Sequence, residues 1–217
     1  MKIKGIIFDL DGTLLDSLEE IALSMNKVLK EFNLPTHPLS SYNQFVGDGA
    51  LYLTQRAIPK TSSSELIESV LTRYLEVYDQ VSCNTSEPYE GIYALLKELN
   101  TLPLQLGILS NKPHLFTLKY AQTLFGEFNF AQVHGQKKEV PKKPHPQGAL
   151  NIANAFKLEP QEIIFVGDTP TDIHTAHHAN MKSIGVLWGF RTKEELQEAQ
   201  ADYLVEHPLD ILDIIKS

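Results

Sequence analysis

The chain contains 217 residues, of which 42% are hydrophobic and 21% charged, and its formal net charge is -8 at pH 7. These proportions are typical of a globular protein that buries a full core without disulfides or a structural metal, and they exclude an intrinsically disordered chain. The acidic balance disfavours nucleic acid and anionic lipid as partners, because both select broad basic surfaces.

The cysteine content and the N-terminal segment predict where the protein works. Cys83 is the only cysteine, so no intramolecular disulfide can form, and a reducing compartment suits the chain. The apolar N-terminal run reaches Asp9 too early to be a signal peptide or a membrane span. We therefore predict a cytoplasmic protein that does not enter a membrane.

The first predicted element is a buried strand at residues 3–9, and the segment that follows has helical periodicity. Apolar side chains such as Ile21 and Met25 recur at spacings typical of a helix within residues 17–82. Prolines and glycines divide this stretch into about four helices. We predict a small all-helical cap domain inserted after the first strand, with a return linker at residues 83–88.

After the linker, short runs rich in Ile, Val and Leu alternate with amphipathic stretches, which is typical of parallel strands covered by helices. Strands are predicted at residues 104–109, 130–134, 163–166 and 183–187, with a weaker one at 203–205. Helices are predicted at residues 93–100, 114–125, 147–156, 172–179 and 209–215. The predicted fold class is α/β, a doubly wound, Rossmann-like parallel sheet whose core domain comprises residues 1–16 and 83–217 and whose cap comprises residues 17–82.

Two carboxylates stand where the first predicted strand ends. Asp9 and Asp11 alternate in the sequence Phe8-Asp9-Leu10-Asp11-Gly12, so in an extended chain they share one face. Ligand sites of open α/β sheets form at the carboxyl ends of strands, which places this pair well for catalysis. The alternative is an Asp-Gly turn whose acids are merely solvated.

A second acidic cluster, GDTPTD at residues 167–172, follows the predicted strand at 163–166. Both clusters therefore lie at one rim of the sheet, where Asp9 and Asp168 are candidate ligands of a hard divalent cation such as Mg²⁺. Helix capping by Asp168 or Thr169 is the competing explanation, with Asp172 favoured in the first helical turn. The two roles are compatible.

Two further segments offer groups that bind an anion. Ser110 follows the predicted strand at 104–109 and precedes a predicted helix, so its hydroxyl and the first-turn amides would form an anion pocket. An ordinary N-cap serine has the same sequence pattern. Lys143, in a polar, proline-interrupted loop at 137–146, is a candidate cation opposite a bound phosphate, and Lys142 is its competitor.

Four segments resemble, in order, the motifs of the haloacid dehalogenase superfamily of phosphohydrolases: FDLDGT at residues 8–13, SNK at 110–112, KPHP at 143–146 and GDTPTD at 167–172. This resemblance spans nearly the whole chain. It implies that Asp9 is the nucleophile and Asp11 the general acid and base. It also implies a set of binding residues: Thr13, Ser110, Asn111 and Lys143 for the phosphate, and Asp9, Asp168 and the backbone carbonyl of Asp11 for the metal, with Asp172 in support.

The resemblance implies a Mg²⁺-dependent phosphatase that hydrolyses a small phosphate monoester through a phosphoryl-aspartate intermediate. A helical cap implies a small substrate, because closure excludes water and bulky esters. Gly47 and Arg56 resemble the specificity loop and nearby arginine of phosphoglycolate phosphatases, so 2-phosphoglycolate is the foremost candidate substrate. A helix-helix turn with a surface arginine would explain the same two residues.

Other functions are compatible with parts of the sequence. Related branches that hydrolyse pyrophosphate or sugar phosphates share the core motifs. A sugar-phosphate mutase is a further rival, which Thr13 argues against because such mutases usually carry a small apolar residue at that position. A Mg²⁺-dependent binding module without turnover belongs to a different class, and the presence of both Asp9 and Asp11 argues against it.

Overall fold

A computed structural model describes residues 2–216 of the chain. The strands are β1 (Gly5–Phe8), β2 (Leu15–Asp16), β3 (Glu87–Pro88), β4 (Gln105–Pro113), β5 (Phe130–Gln136), β6 (Ile163–Gly167), β7 (Lys182–Val186) and β8 (Tyr203–Val205). The helices are α1 (Leu18–Glu31), α2 (Leu39–Phe45), α3 (Ala50–Ala57), α4 (Ser64–Val81), α5 (Ile92–Leu99), α6 (His114–Phe125), α7 (Gln147–Phe156), α8 (Pro170–His178), α9 (Lys193–Glu198) and α10 (Asp210–Lys216).

Six of the strands form one parallel sheet in the order β5-β4-β1-β6-β7-β8. Strand β1 lies in the middle and pairs in parallel with β4 on one side and β6 on the other. The chain therefore builds the sheet outwards from β1 in both directions, which is the doubly wound arrangement. The α/β fold class and all six predicted strands are confirmed.

The central strands β1 and β6 are buried on both faces, because their side chains alternate between two hydrophobic clusters. Ile6 and Phe8 belong to a cluster with residues of α5, α6 and α10. Ile7, between them, belongs to a second cluster with Phe165 and residues of α7 and α8. For this reason the sequences of these strands are continuous apolar runs. The polar groups lie at the carboxyl ends of the strands rather than on their faces.

Helices α1–α4, which we call the helical insertion, lie between β2 and β3 in the chain. Helix α1 packs against α2 and α4, and α3 packs against α4. The side chains that point inward, including Met25, Val28 and Val70, are fully buried. The predicted helices of this stretch are confirmed, whereas the two-stranded antiparallel sheet β2-β3 at its base was not predicted, since its strands are too short to show alternation.

Glu20 of α1 is a buried carboxylate that joins the helical insertion to its return linker. It accepts hydrogen bonds from the backbone N–H groups of Asn84 and Thr85, each at 3.0 Å, and from the Tyr120 hydroxyl. Burial alone would raise the pKa of Glu20, but these donors stabilise the carboxylate and lower that pKa. Glu20 therefore holds the return linker against α1 through hydrogen bonds to the linker backbone.

Across residues 2–216, no helix combines the length and the apolar character that crossing a lipid bilayer requires.

Candidate active site

The carboxyl ends of the three central strands bring the predicted site residues together. Asp9 directly follows β1, Ser110 lies within β4, and Asp168 directly follows β6. Because β1 is hydrogen-bonded to both β4 and β6, these three positions are neighbours although they are far apart in sequence. The rim where the strand order diverges is where open α/β sheets place their ligands.

Three buried carboxylates meet at this rim. Oxygen atoms of Asp9, Asp168 and Asp172 all lie within 4.8 Å of one another. Asp9 is 5% exposed, and the other two are fully buried. The structure therefore brings together the two acidic clusters that the sequence placed at one rim.

Lys143 is the cation of this cluster. Its Nζ lies 2.7 Å from Asp9 Oδ1 and 2.7 Å from Asp172 Oδ1. Burial alone would lower the pKa of Lys143, but the adjacent carboxylates raise it above its ordinary value, so the ammonium stays charged. Lys142 points elsewhere, because its ammonium donates to the Asp48 carbonyl at 2.8 Å and lies over the Tyr52 ring.

Neighbouring donors hold Asp168 and Asp172 in place. Asp168 accepts from the Thr13 hydroxyl at 3.0 Å and from the Phe190 backbone N–H at 2.9 Å. Asp172 accepts from the backbone N–H of Thr169 at 3.0 Å and from its hydroxyl at 2.7 Å, which caps α8. Capping and participation in the cluster are thus combined in Asp172. The Thr13 hydroxyl orients Asp168, and Thr13 is not among the residues that line the cavity, so its role in binding phosphate stays a prediction.

Gly12 allows the first loop to approach Asp168. Its φ angle is +90°, a conformation that L side chains rarely adopt. A Cβ atom at this position would stand 2.2 Å from Asp168 Oδ2, far inside van der Waals contact. The glycine that follows Asp11 is therefore required both for its backbone conformation and for space beside the carboxylate cluster.

The carboxylate cluster fits a hard divalent cation. No described residue donates a hydrogen bond of acceptable geometry to Asp9 Oδ1, although Lys143 lies near it. Burial raises the pKa of Asp9 well above its usual range, with the charges of Asp172 and Asp168 adding to the effect. Burial and the charge of Asp172 also raise the pKa of Asp168, to about 7. Three buried acids against one lysine leave surplus negative charge, and an all-oxygen donor set is the kind that Mg²⁺ prefers.

A prediction about pH follows from the raised pKa of Asp168. An acid whose pKa is higher in the folded than in the unfolded protein binds more protons when folded, so its ionisation opposes folding. In EDTA, the free energy of unfolding should therefore fall as pH rises from the ordinary pKa of 3.8 towards about 7. A pKa shift over that interval changes the free energy of unfolding by about 4 kcal/mol at most. Urea titrations at pH 5, 6, 7 and 8 would measure it.

The matched control is Asp168→Asn, which keeps an acceptor for the Phe190 N–H. This variant should show a flatter pH dependence than the wild type in EDTA. Added Mg²⁺ should stabilise the wild type at pH 8 and the variant far less. Equal pH slopes in the two proteins, or no stabilisation of the wild type by Mg²⁺, would contradict the cation fit.

A small cavity opens above the carboxylate cluster, between the helical insertion and the sheet. Its volume is about 40 Å³. Core residues form its polar floor: Asp9, Asp11, Ser110, Asn111 and Lys112. The insertion contributes mainly apolar side chains: Ile21, Val46, Leu53, Tyr74, Leu75 and Tyr78.

Asp11 lies in this cavity beside a lysine that the sequence analysis did not single out. The Asp11 carboxylate accepts from the Ser17 hydroxyl at 2.6 Å and from Lys112 Nζ at 2.9 and 3.1 Å. Lys112 is buried, with 5% of its side chain exposed. Its position in the segment SNK, directly after the candidate residues Ser110 and Asn111, is the signal that could have identified it.

Ser110 and Asn111 reach the cavity in a different way from that expected. Strand β4 continues to Pro113 and α6 begins at His114, so Ser110 is not a helix cap and the expected first-turn anion pocket is wrong. Proline disfavours helical geometry in the residue before it, which explains the longer strand. The Ser110 hydroxyl accepts from the Lys112 N–H at 3.1 Å.

The Asn111 side chain links two loops. Its oxygen accepts from the Lys143 N–H at 2.9 Å, and its amide nitrogen donates to the carbonyls of Lys143 and Gly47, each at 3.1 Å. The polar atoms of the Asn111 side chain are thus engaged within the protein, and its predicted contact with phosphate stays a prediction. Asn111 instead fixes the backbone that carries Lys143 and holds the insertion loop against the core.

Of the predicted cap residues, the glycines line the cavity and the arginine does not. Gly47 and Gly49 both face it. Gly49 has a φ of +88°, and a Cβ there would stand 2.9 Å from the Asn111 carbonyl oxygen. Arg56 pairs with the Asp48 carboxylate and donates to the Phe45 carbonyl at 3.0 Å. The predicted substrate contact of Arg56 stays a prediction.

Comparison with known proteins gives a consistent result. A family model described as haloacid dehalogenase-like hydrolase matches residues 6–186. The phosphoglycolate phosphatases of Pasteurella multocida and Haemophilus influenzae are 31% and 30% identical to the chain, and each alignment covers 98% of both proteins. A crystal structure from Haemophilus somnus, described as a predicted phosphoglycolate phosphatase, superposes with a TM-score of 0.88 at 30% identity, covering 99% of this chain and 98% of that one.

Proposed function

Because this chain belongs to the family of haloacid dehalogenase-like hydrolases and is a phosphatase, we propose that it hydrolyses 2-phosphoglycolate, with Mg²⁺, through a phosphoryl group carried by Asp9. One observation carries the proposal. Asp9 and Asp11 line the same small cavity, and the buried Asp9 carboxylate lies 2.7 Å from the Lys143 ammonium, which is placed to neutralise charge beside it. A nucleophile and a separate acid in one enclosed space are what two-step phosphoryl transfer requires.

The proposed chemistry assigns each residue one task. An Asp9 oxygen forms a bond to phosphorus as the bond from phosphorus to the ester oxygen breaks, and Asp11 gives a proton to the departing oxygen. Asp11 then accepts a proton from water, which attacks phosphorus and releases inorganic phosphate and free Asp9. The Lys143 ammonium, held by Asp172, neutralises charge beside Asp9 throughout. Asp9, Asp168 and the Asp11 carbonyl would hold Mg²⁺, which would supply further charge neutralisation for the phosphate oxygens.

We further propose that residues 17–82 act as a cap domain over a core of residues 1–16 and 83–217. Residues of both parts line the cavity, and the Asn111 side chain of the core donates a hydrogen bond to the Gly47 carbonyl of the insertion. The Arg191 guanidinium donates to the Val46 carbonyl at 2.8 Å, and the Thr171 hydroxyl donates to the Asp48 carboxylate at 3.1 Å. These contacts would break when the cap opens and form again when it closes around substrate.

The cavity supports a substrate with a small leaving group. The apolar walls of the cavity offer few hydrogen-bond partners for the hydroxyls of a sugar, which favours a substrate with a small leaving group. The relatives named phosphoglycolate phosphatase, which match the chain over almost their whole length, support 2-phosphoglycolate. The single cysteine, Cys83, which is free in the structure, supports a cytoplasmic location.

A substrate panel tests the proposal. Purified protein with Mg²⁺ is expected to release phosphate from 2-phosphoglycolate with a kcat/KM at least about tenfold higher than from pyrophosphate, glucose 6-phosphate or a nucleoside monophosphate, which corresponds to a modest difference of about 1.4 kcal/mol. EDTA should remove the activity and Mg²⁺ restore it. If a sugar phosphate ranked first, the substrate proposal would fail while the phosphatase class stood. Transfer of phosphate within glucose 1-phosphate, without release, would indicate a mutase.

A further inference from the structure

We propose that Lys112 recognises a carboxylate of the leaving group and thereby selects phosphate esters whose carboxylate lies one carbon from the ester oxygen. The inference rests on the proposed function and deepens it, because it names the group that recognises the non-phosphate part of the substrate. Its basis is the position, burial and surroundings of the Lys112 ammonium.

Lys112 is the cation of the cavity. Among residues 2–216, it is the only one with a positively charged side chain that lines this space. Lys143 is paired with Asp9 and Asp172, and Arg56 is paired with Asp48. Among the described residues, Lys112 is therefore the cation that an anionic leaving group in this cavity would contact.

The environment of Lys112 is buried and structured, unlike that of a typical surface lysine. Its ammonium lies 4.7 Å from the centre of the Tyr78 ring and 4.8 Å from that of Tyr120, distances at which a cation is attracted to a ring face. The hydroxyls of these two tyrosines are 2.8 Å apart, which fixes the rings relative to each other. The aromatic pair holds the ammonium in place without neutralising its charge.

The hydrogen bonds of Lys112 leave capacity for a second anion. An ammonium has three N–H donors. Two of its contacts go to the oxygens of Asp11, at 2.9 and 3.1 Å. The apolar side chains around the cavity, such as Ile21, Leu53 and Phe116, have no donor for a carboxylate. Lys112 is thus the group that can compensate a leaving-group charge.

Distance selects which carboxylate fits. Asp11 must reach the ester oxygen to protonate it, and Lys112 Nζ lies 2.9 Å from Asp11 Oδ1. Two hydrogen bonds in series, each about 2.9 Å long, bring the ester oxygen within roughly 6 Å of Nζ. In 2-phosphoglycolate, bond lengths of about 1.2–1.5 Å place a carboxylate oxygen roughly 3 Å from the ester oxygen. That oxygen can sit between the two groups within one hydrogen bond of Nζ.

The test compares Lys112→Met on two substrates that differ only in the carboxylate: 2-phosphoglycolate and ethyl phosphate. Methionine keeps an unbranched side chain against the tyrosine rings and removes the charge. For 2-phosphoglycolate we expect kcat/KM to fall about 100-fold, because a charge-assisted hydrogen bond is lost. For ethyl phosphate the fall should be less than about tenfold, so the preference for the carboxylate largely disappears. Lys97→Met, at an exposed position on α5, is the matched control.

A binding measurement separates recognition from any effect on Asp11. In an Asp9→Asn background, titration calorimetry should show that Lys112→Met weakens 2-phosphoglycolate at least about tenfold and leaves inorganic phosphate nearly unchanged. Equal losses for 2-phosphoglycolate and ethyl phosphate would overturn the inference and leave Lys112 as a positioning residue for Asp11. A wild-type enzyme that hydrolyses both esters equally would also overturn it while the phosphatase mechanism stood. Activity that survives Asp9→Asn would instead contradict the mechanism itself.

Discussion

Asp9→Asn is expected to abolish phosphate release while the protein remains folded. The amide has the same shape as the carboxylate but lacks the negative oxygen that would bond to phosphorus. Loss of a catalytic nucleophile costs roughly 10⁴-fold or more in kcat. The fold should persist because Asp9 is a buried acid whose ionisation is unfavourable, and Lys143 keeps Asp172 as its partner. A phosphate-release assay with saturating 2-phosphoglycolate, together with thermal unfolding, measures both effects.

Asp16→Asn is the matched control. Asp16 is an exposed aspartate in β2, the short strand that follows the Asp9 loop, and it does not line the cavity. It should retain wild-type turnover, since replacing an exposed side chain of this kind usually changes stability by no more than about 0.5 kcal/mol. A burst of phosphoryl-enzyme in the wild type and none in Asp9→Asn would support the covalent route. Normal turnover by Asp9→Asn would remove Asp9 as the nucleophile.

Lys143→Met is expected to be the most destabilising of the single changes considered. The ammonium is buried between Asp9 and Asp172, 2.7 Å from each. Its removal leaves buried carboxylates without compensation, and breaking a buried ion pair in this way costs about 3–5 kcal/mol. Turnover should be lost as well, because no cation remains beside Asp9. Urea unfolding in EDTA measures the stability change.

The adjacent residue provides the control for this prediction. Lys142→Met removes an ammonium that contacts the Asp48 carbonyl and the Tyr52 ring outside the carboxylate cluster. Its effect on the free energy of unfolding should be about 1 kcal/mol or less. Mg²⁺ should recover part of the stability of Lys143→Met by neutralising the same carboxylates. If Lys142→Met proved the more damaging variant, the assignment of the site lysine would be reversed.

The position of the acidic cluster could be predicted because it depends on a rule of topology. Strands such as β1 and β6 are recognisable as apolar runs, and parallel neighbours end at the same rim. Asp9 and Asp168, each directly after such a run, therefore had to lie close together once the two strands were paired. The same rule could not supply the partners of each side chain, since those come from loops.

Thus the sequence by itself determined the α/β class, the helical insertion, the strand ends and the acids at them, because periodicity and chain order are local properties. Only the tertiary structure decided between Lys142 and Lys143, paired Arg56 with Asp48, used Thr13 to orient Asp168 and placed Lys112 beside Asp11. The physical reason is that the direction of a side chain depends on the local backbone path and on partners distant in sequence. Asp11 and Lys112, which share a hydrogen bond 2.9 Å long, are separated by 101 positions, a distance over which no local pattern carries information.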